Sequence, residues 1–235
     1  MSHVISFEKI PPLSGRYDLY GAVHKGLRLA QCDLLMRLGA TDFEQAAPRR
    51  KILADLRAVL GVAAAHVRHE DNEIHKALQA HSVSTDLIDE QHEEHRQAFA
   101  ALEKLILGVE NAFQGEKNTA GRHLYLAFAG YIAEDFAHMH EEETVTAPML
   151  WKLFSDEELL AIEIRIVSSI PPEQNMVFMR YMIPAINPIE RAKLLGGIKN
   201  GAPAEVFNAV MEFAARPNLS KDDFSDLSNR LGLAA

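Results

Sequence analysis

The chain has one cysteine, Cys32, among 235 residues. A single thiol excludes an internal disulfide and a metal site built from a Cys-x-x-Cys pair. Basic residues are also few, because 24 Lys and Arg stand against 33 Asp and Glu and give a formal net charge of −9. No stretch is basic enough to follow a phosphate backbone, so we expect no nucleic-acid partner.

Long apolar runs are lacking as well. The longest one, residues 124–133, has about half the length that a membrane-spanning helix needs. The first nine residues lack the basic-then-apolar order of a secretory signal. We therefore expect a soluble, cytoplasmic protein with no membrane partner.

Helical periodicity extends along the whole chain and alternating strand patterns are scarce, so the predicted fold class is all-α. The pattern predicts four long helices, over 16–38, 48–79, 84–114 and 118–154. Their connections are short, which favours antiparallel neighbours and an up-down-up-down four-helix bundle within residues 1–154.

Residues 155–235 predict a different organisation. Ser155 and Glu158 match a capping box, and closely spaced prolines and glycines then limit the segment to four or five short helices. It contains no histidine. We interpret it as an appended C-terminal helical region, packed on or beside the bundle, through which the chain would form a homo-oligomer or bind a protein partner.

Two similar segments carry the pattern with chemical meaning. One contains His66 and Glu70 and the other contains His138 and Glu142, in each case four residues apart and followed by a further acidic residue. Residues four apart lie on one face of a helix, one turn from each other. One metal ion can then take both the imidazole and the carboxylate.

The same helix face continues as an apolar stripe in both segments. Positions seven and fourteen before each histidine, and three or four after each glutamate, hold Ile52, Val59, Ile74, Leu124, Tyr131 and Val145. Both His–Glu pairs are therefore predicted to point into a core. A buried carboxylate beside a buried imidazole is costly unless it is paired or metal-bound, and a metal ion would remove that cost while favouring folding.

The first and third helices each add one histidine to this set. His24 precedes His66 by 42 residues, and His95 precedes His138 by 43 residues, so the bundle divides into two similar helix pairs. His92 shares the face of His95 and stays open as an extra ligand or as a side chain that supports one. The predicted metal ligands are His24, His66, Glu70, His95, His138 and Glu142.

Simpler interpretations exist for isolated histidines. A lone His-xxx-Glu is most often a surface pair, which is the role we assign to His69 with Glu73. A ferritin-like site would need Glu-x-x-His on two helices, and only Asp89-xx-His92 and Asp135-xx-His138 approach that pattern. The remaining histidines are expected at the surface: His3, His75, His81, His123 and His140.

From about residue 15 to 154 the chain resembles the hemerythrin-like family, also called the HHE cation-binding domain. The residues that carry the resemblance are the two His-xxx-Glu pairs, His24 in a His-Lys-Gly-Leu-Arg segment, and His95. The resemblance implies a non-haem di-iron centre with bridging carboxylates and a bridging oxygen species. It also implies that His24 and His66 bind one iron, that His95 and His138 bind the other, and that Glu70 and Glu142 bridge them.

Oxygen-carrying members of the family have His-xxx-His on the third helix and His-xxxx-Asp on the fourth. This chain has His92-xx-His95 and His138-xxx-Glu142 instead, which argues against simple reversible oxygen carriage. The resemblance implies a protein that senses or binds oxygen, nitric oxide or peroxide, or that acts in iron homeostasis. The alternatives are a di-iron oxidase or peroxidase and a metal-dependent helical interaction module.

The donor types narrow the choice of metal only in part. Mixed imidazole and carboxylate ligands suit iron, zinc and manganese. The lack of cysteine ligands argues against a structural zinc site. With the family resemblance added, we rank iron above zinc and manganese.

Overall fold

The computed structural model describes residues 13–233, which form nine helices and no strand. The predicted all-α fold class is therefore confirmed. Within the same residues, no helix has the length and apolar character required to cross a membrane.

Four long helices occupy the first two-thirds of the chain. Helix α1 is Gly21–Gly39 and α3 is Asp86–Asn111. Helix α2 covers 46–80, as Ala46–His69, a π-helical turn Glu70–His75, and Lys76–Ala80. Helix α4 covers 117–153, as Lys117–Glu141, a π-helical turn Glu142–Thr146, and Ala147–Leu153.

Most of these bounds agree with the predicted ones to within three residues. The exception is α1, which begins five residues later than predicted. Before the helix, Oδ1 of Asp18 accepts hydrogen bonds from the backbone N–H groups of Tyr20 and Gly21 at 3.1 and 3.0 Å. These bonds satisfy two N–H groups at the start of α1 that have no partner within the helix.

Five shorter helices follow, within the predicted four or five. They are α5 (Asp156–Ser169), α6 (Pro172–Ala185), α7 (Pro188–Gly201), α8 (204–218, with a π-helical turn Met211–Ala215) and α9 (Lys221–Arg230). The predicted capping box before α5 is present. Ser155 N donates to Glu158 Oε2 at 2.8 Å, and Glu158 N donates to Ser155 Oγ at 3.2 Å.

The helices divide into two compact units, and the division differs from the predicted boundary after residue 154. The first unit contains 13–21 and 34–166, and the second contains 22–33 and the described residues from 167 onward. Helix α5 belongs mainly to the first unit because its Leu159 and Ile162 are buried in the same core cluster as Ile74 and Leu78 of α2. The ion pair between Arg16 and Asp156, at 2.8 Å, adds a contact at the start of α5.

The second unit has its own apolar core. Ile183, Leu195 and Ala214 are fully buried in it. The Arg191 guanidinium is also buried, and it donates to the backbone carbonyls of Ile183 and Ile186 at 2.9 and 3.1 Å. It thereby satisfies acceptors that the C-terminal end of α6 would otherwise leave without a helical partner.

Candidate metal centre

Two His–Glu pairs are buried in the first unit. In α2, Nε2 of His66 lies 3.2 Å from Oε1 of Glu70, and in α4, Nε2 of His138 lies 3.3 Å from Oε2 of Glu142. All four residues have an exposed fraction of 9% or less. The four-residue spacing thus brings imidazole and carboxylate together away from solvent.

Both glutamates occupy the same place in the backbone, because each is the first residue of a π-helical turn. Single π-helical turns inside α-helices occur frequently at functional sites. The turn Met211–Ala215 in α8 carries no histidine, so a π-helical turn alone has no such meaning here. The informative feature is that the turn coincides with a His–Glu pair twice.

The extra residue in the turn at Glu142 changes which side chain faces the core beyond it, whereas Ile74, four residues after Glu70, is buried as predicted. The predicted burial of Val145 is wrong: Val145 is 50% exposed, whereas Thr146 is buried. The prediction continued the α-helical period through a turn that contains one more residue. Before the turns the period holds, since the stripe residues Ile52, Val59, Leu124 and Tyr131 are all buried.

The two glutamates come together between the histidines. One ligand atom from each of His66, Glu70 and Glu142 lies within 4.8 Å of the others, and the same limit holds for Glu70, His92, His138 and Glu142. Glu70 and Glu142 therefore belong to both groups. Two neighbouring cations could take such a set, with separate imidazoles and two carboxylates in common.

The imidazoles of His92 and His138 both direct Nε2 towards this interior point. Nδ1 of His92 lies 2.6 Å from Asp71 Oδ1, and Nδ1 of His138 lies 2.8 Å from Gln91 Oε1. The Asp71 carboxylate can only accept a hydrogen bond. Gln91 also accepts with its Oε1, because its amide nitrogen donates to Glu141 at 2.9 Å. Each ring therefore donates from Nδ1, which leaves Nε2 as the atom that faces the two glutamates.

The two Nε2 atoms lie only 3.1 Å apart. Two lone pairs at that separation repel each other unless one nitrogen is protonated or both bind a cation. The pKa shifts agree with this arrangement. Burial lowers the pKa of His138 to about 4, with help from His92 and His95. Burial also disfavours the charged form of His92, but the hydrogen bond that His92 donates to Asp71 and the charges of Glu70 and Glu142 outweigh it and raise the pKa of His92.

His95 and His24, two of the predicted ligands, have different surroundings. Nε2 of His95 lies 3.1 Å from Asp135 Oδ1, and its ring makes edge contacts with His138 and Tyr131. His95 belongs to none of the candidate ligand groups, whereas His92 belongs to the group with Glu70, His138 and Glu142. His24 is fully buried on α1, in the stretch 22–33 that belongs to the second unit. The assignments of His24 and His95 as ligands stay predictions.

His75, Asp89 and Thr85 form a hydrogen-bonded cluster next to the His92 ring. The ring of His75 stacks on that of His92 with centroids 4.7 Å apart and an angle of 18° between the planes. His75 Nδ1 lies 2.7 Å from Asp89 Oδ1, and Asp89 Oδ2 accepts from Thr85 Oγ1 at 2.7 Å. Asp71, His75 and His92 also lie close enough to hold a cation, but these short hydrogen bonds account for the cluster without one.

The other histidines were predicted to lie at the surface, and the prediction is only partly correct. His81 and His123 are exposed and His140 is half-buried, while His3 lies outside the described residues. The prediction is wrong for His75 and His69, which are 1% and 9% exposed. Stacking against His92 explains the burial of His75, and no pattern in the sequence signals such a contact.

The ferritin-like alternative gains no support from the geometry. Asp89 contacts His75, and Asp135 contacts His95. Neither aspartate belongs to the groups that contain Glu70 and Glu142. Among the described residues, the carboxylates near the centre are therefore those of the two His-xxx-Glu pairs.

Comparison of the chain with family models, with curated proteins and with solved structures finds no match. The likeness to hemerythrin-like domains thus depends on the motif residues themselves.

Proposed function

We propose that this chain is a non-haem di-iron binding protein of the hemerythrin-like type. In this proposal His66, Glu70, His92, His138 and Glu142 bind the metal ions, and the two glutamates are shared between them. The proposal keeps the predicted up-down-up-down four-helix bundle within residues 1–154 as the framework that would hold these side chains. Its support is the sequence of four long helices joined by connections of about five or six residues.

The observation that carries the proposal is the arrangement of His92 and His138 around two common carboxylates. Their Nε2 atoms lie 3.1 Å apart with both Nδ1 atoms engaged elsewhere. Glu70 and Glu142 are 2% and 0% exposed. Burying two carboxylates side by side costs free energy in a metal-free protein, and divalent cations bound by them would offset that cost.

The donor set suits iron. It consists of imidazole nitrogens and carboxylate oxygens, and the cysteine of the chain is exposed. Zinc and manganese accept the same donors and remain competitors. Iron bound here would supply affinity for a small oxygen or nitrogen oxide ligand together with a change of oxidation state. The protein side chains would hold the ions, exclude bulk water and orient the imidazoles.

In biological terms, the proposed role is to bind or sense oxygen, nitric oxide or peroxide, or to report iron status. Metal analysis provides the first test. The protein is loaded with Fe(II) without oxygen, freed of excess metal and analysed. Two iron ions per chain are expected, with near-ultraviolet charge-transfer absorption after exposure to oxygen.

Matched variants make that test specific. Glu70→Gln and Glu142→Gln each remove a shared carboxylate and should lower the bound iron to less than one ion per chain. Glu134→Gln changes an exposed residue on the same helix as Glu142 and should retain both ions. A wild-type protein that retains no iron, zinc or manganese would refute the proposal. Catalytic consumption of peroxide that is lost in Glu70→Gln would assign an enzymatic role to the centre.

A further inference from the structure

Asp71 follows Glu70 directly, in the first positions of the π-helical turn of α2. In an α-helix, consecutive side chains diverge by about 100°, whereas the wider π-helical turn brings them closer in direction. Glu70 and Asp71 accordingly reach the same imidazole from opposite edges. Glu70 Oε2 lies 3.6 Å from Nε2 of His92, and Asp71 Oδ1 lies 2.6 Å from Nδ1 of His92.

The His92 ring is held on its face as well. His75 stacks on it with centroids 4.7 Å apart, and Asp89 holds Nδ1 of His75 at 2.7 Å. The second oxygen of Asp71 accepts from Arg96 at 3.0 Å. His92, which is fully buried, is thus fixed by side chains that come from α2 and α3 and that do not themselves belong to the ligand groups around Glu70 and Glu142.

We infer that Asp71 is a positioning residue that aims Nε2 of His92 at the metal and makes its imidazole a stronger donor. The inference rests on the proposed function. A carboxylate that accepts the Nδ1–H of a ligand histidine fixes the tautomer and the ring orientation and increases the basicity of the ligand. A more basic ligand stabilises the more highly charged oxidation state, so Asp71 should keep the reduction potential of the loaded centre low.

Two substitutions separate position from charge. Asp71→Asn keeps a side-chain oxygen that accepts from His92 but removes the negative charge. Asp71→Ala removes both the acceptor and the charge. Glu93→Gln is the matched control, because Glu93 also pairs with Arg96, at 2.9 Å, and is likewise partly exposed, but none of its described contacts is to a histidine.

The experiment measures iron affinity by chelator competition and the reduction potential by redox titration of the charge-transfer absorption. Asp71→Ala should weaken iron binding about 10- to 100-fold. Asp71→Asn should bind iron within a few-fold of the wild-type protein, with a more positive potential. Glu93→Gln should match the wild-type protein in both measurements. If Asp71→Ala does not fold, the potential of Asp71→Asn decides alone.

The possible failures are distinguishable. Wild-type protein that retains no metal overturns the proposed function and this inference with it. Wild-type and Asp71→Asn proteins that both hold iron and share the same potential overturn only the role of Asp71. A shift of equal size in Glu93→Gln would also overturn it, since the effect would then come from the charge on Arg96 and not from the hydrogen bond to His92.

Discussion

The substitution Glu142→Gln should raise the stability of the metal-free protein while abolishing its stabilisation by iron. Carboxylate oxygens of Glu70 and Glu142 lie within 4.8 Å of each other. At an effective dielectric constant of about 20, two unit charges at that distance repel by roughly 3 kcal/mol. Attraction of Glu142 to His138 and His92 offsets part of this repulsion, so we expect a net gain of about 1–2 kcal/mol from the substitution.

Iron should reverse the order of the two proteins. Free iron at 100 times its dissociation constant stabilises a folded protein by about 2.7 kcal/mol, and only the wild-type protein retains both shared carboxylates. For a domain of this size, 1 kcal/mol corresponds to about 2–4 °C in Tm. Metal-free Glu142→Gln should therefore melt about 2–8 °C above the wild-type protein, and the iron-loaded wild-type protein should melt above the variant.

The assay is thermal unfolding followed by circular dichroism, with a chelator in one series and Fe(II) without oxygen in the other. Glu134→Gln, which removes an exposed carboxylate from the same helix, is the control and should follow the wild-type protein in both series. The reasoning is refuted if Glu142→Gln melts below the wild-type protein with the chelator present, or if iron raises Tm equally in both.

Three further predictions concern single residues. In metal analysis, His92→Ala should lose at least one of two bound iron ions and His95→Ala should lose none. Equal losses in the two variants would refute the proposal that His92, and not His95, binds iron. The pKa of His138 is about 4 in the folded protein and 6.5 as the reference for the unfolded chain, so the unfolded chain binds a proton at this histidine at a higher pH than the folded protein does. Protonation of His138 should therefore lower the free energy of unfolding of the metal-free protein by up to about 3 kcal/mol as pH falls from about 6.5 to 4. Urea unfolding at several pH values should show a smaller decrease in His138→Gln. Gly121→Ala places a methyl group inside the volume of a phenylalanine ring and should cost about 1–3 kcal/mol, whereas Gly130→Ala, with open space around it, should not destabilise the protein in the same urea titration.

The sequence predicted the helices and the two His–Glu contacts because both depend on local spacing. Residues four apart in a helix meet whatever the rest of the chain does, and His66 with Glu70 is such a pair. The apolar stripe through Val59 and Leu124 also followed from a 3.6-residue period. These features require no knowledge of which helices pack together.

The sequence does not distinguish the surroundings of His92 from those of His95. They are three residues apart and share one helix face, so periodicity cannot separate them. A matching offset along the chain favoured His95. The structure brings His92 to Glu70, Asp71 and His138, and such contacts depend on the packing of α2, α3 and α4.

The π-helical turns were the other gap. No residue type marks where an α-helix accepts one extra residue, and the turn at Glu142 shifts the pattern that follows it. Val145 was misplaced for this reason, and Thr146 is buried in its stead. Asp71 lies in the same kind of turn and contacts His92, a contact that no spacing in the sequence indicates.

The meeting of Glu70 and Glu142 joins two points that are 72 positions apart along the chain. A cation bound by both glutamates would close that length of polypeptide into a loop, as a disulfide does. A covalent cross-link across a loop of this size stabilises the folded state by about 4 kcal/mol, because it reduces the conformational entropy of the unfolded chain. This chain has one cysteine and can form no internal disulfide, so a bound cation would give it a cross-link that is reversible. Its resistance to unfolding, and to proteases that attack the opened chain, would then rise and fall with the supply of metal.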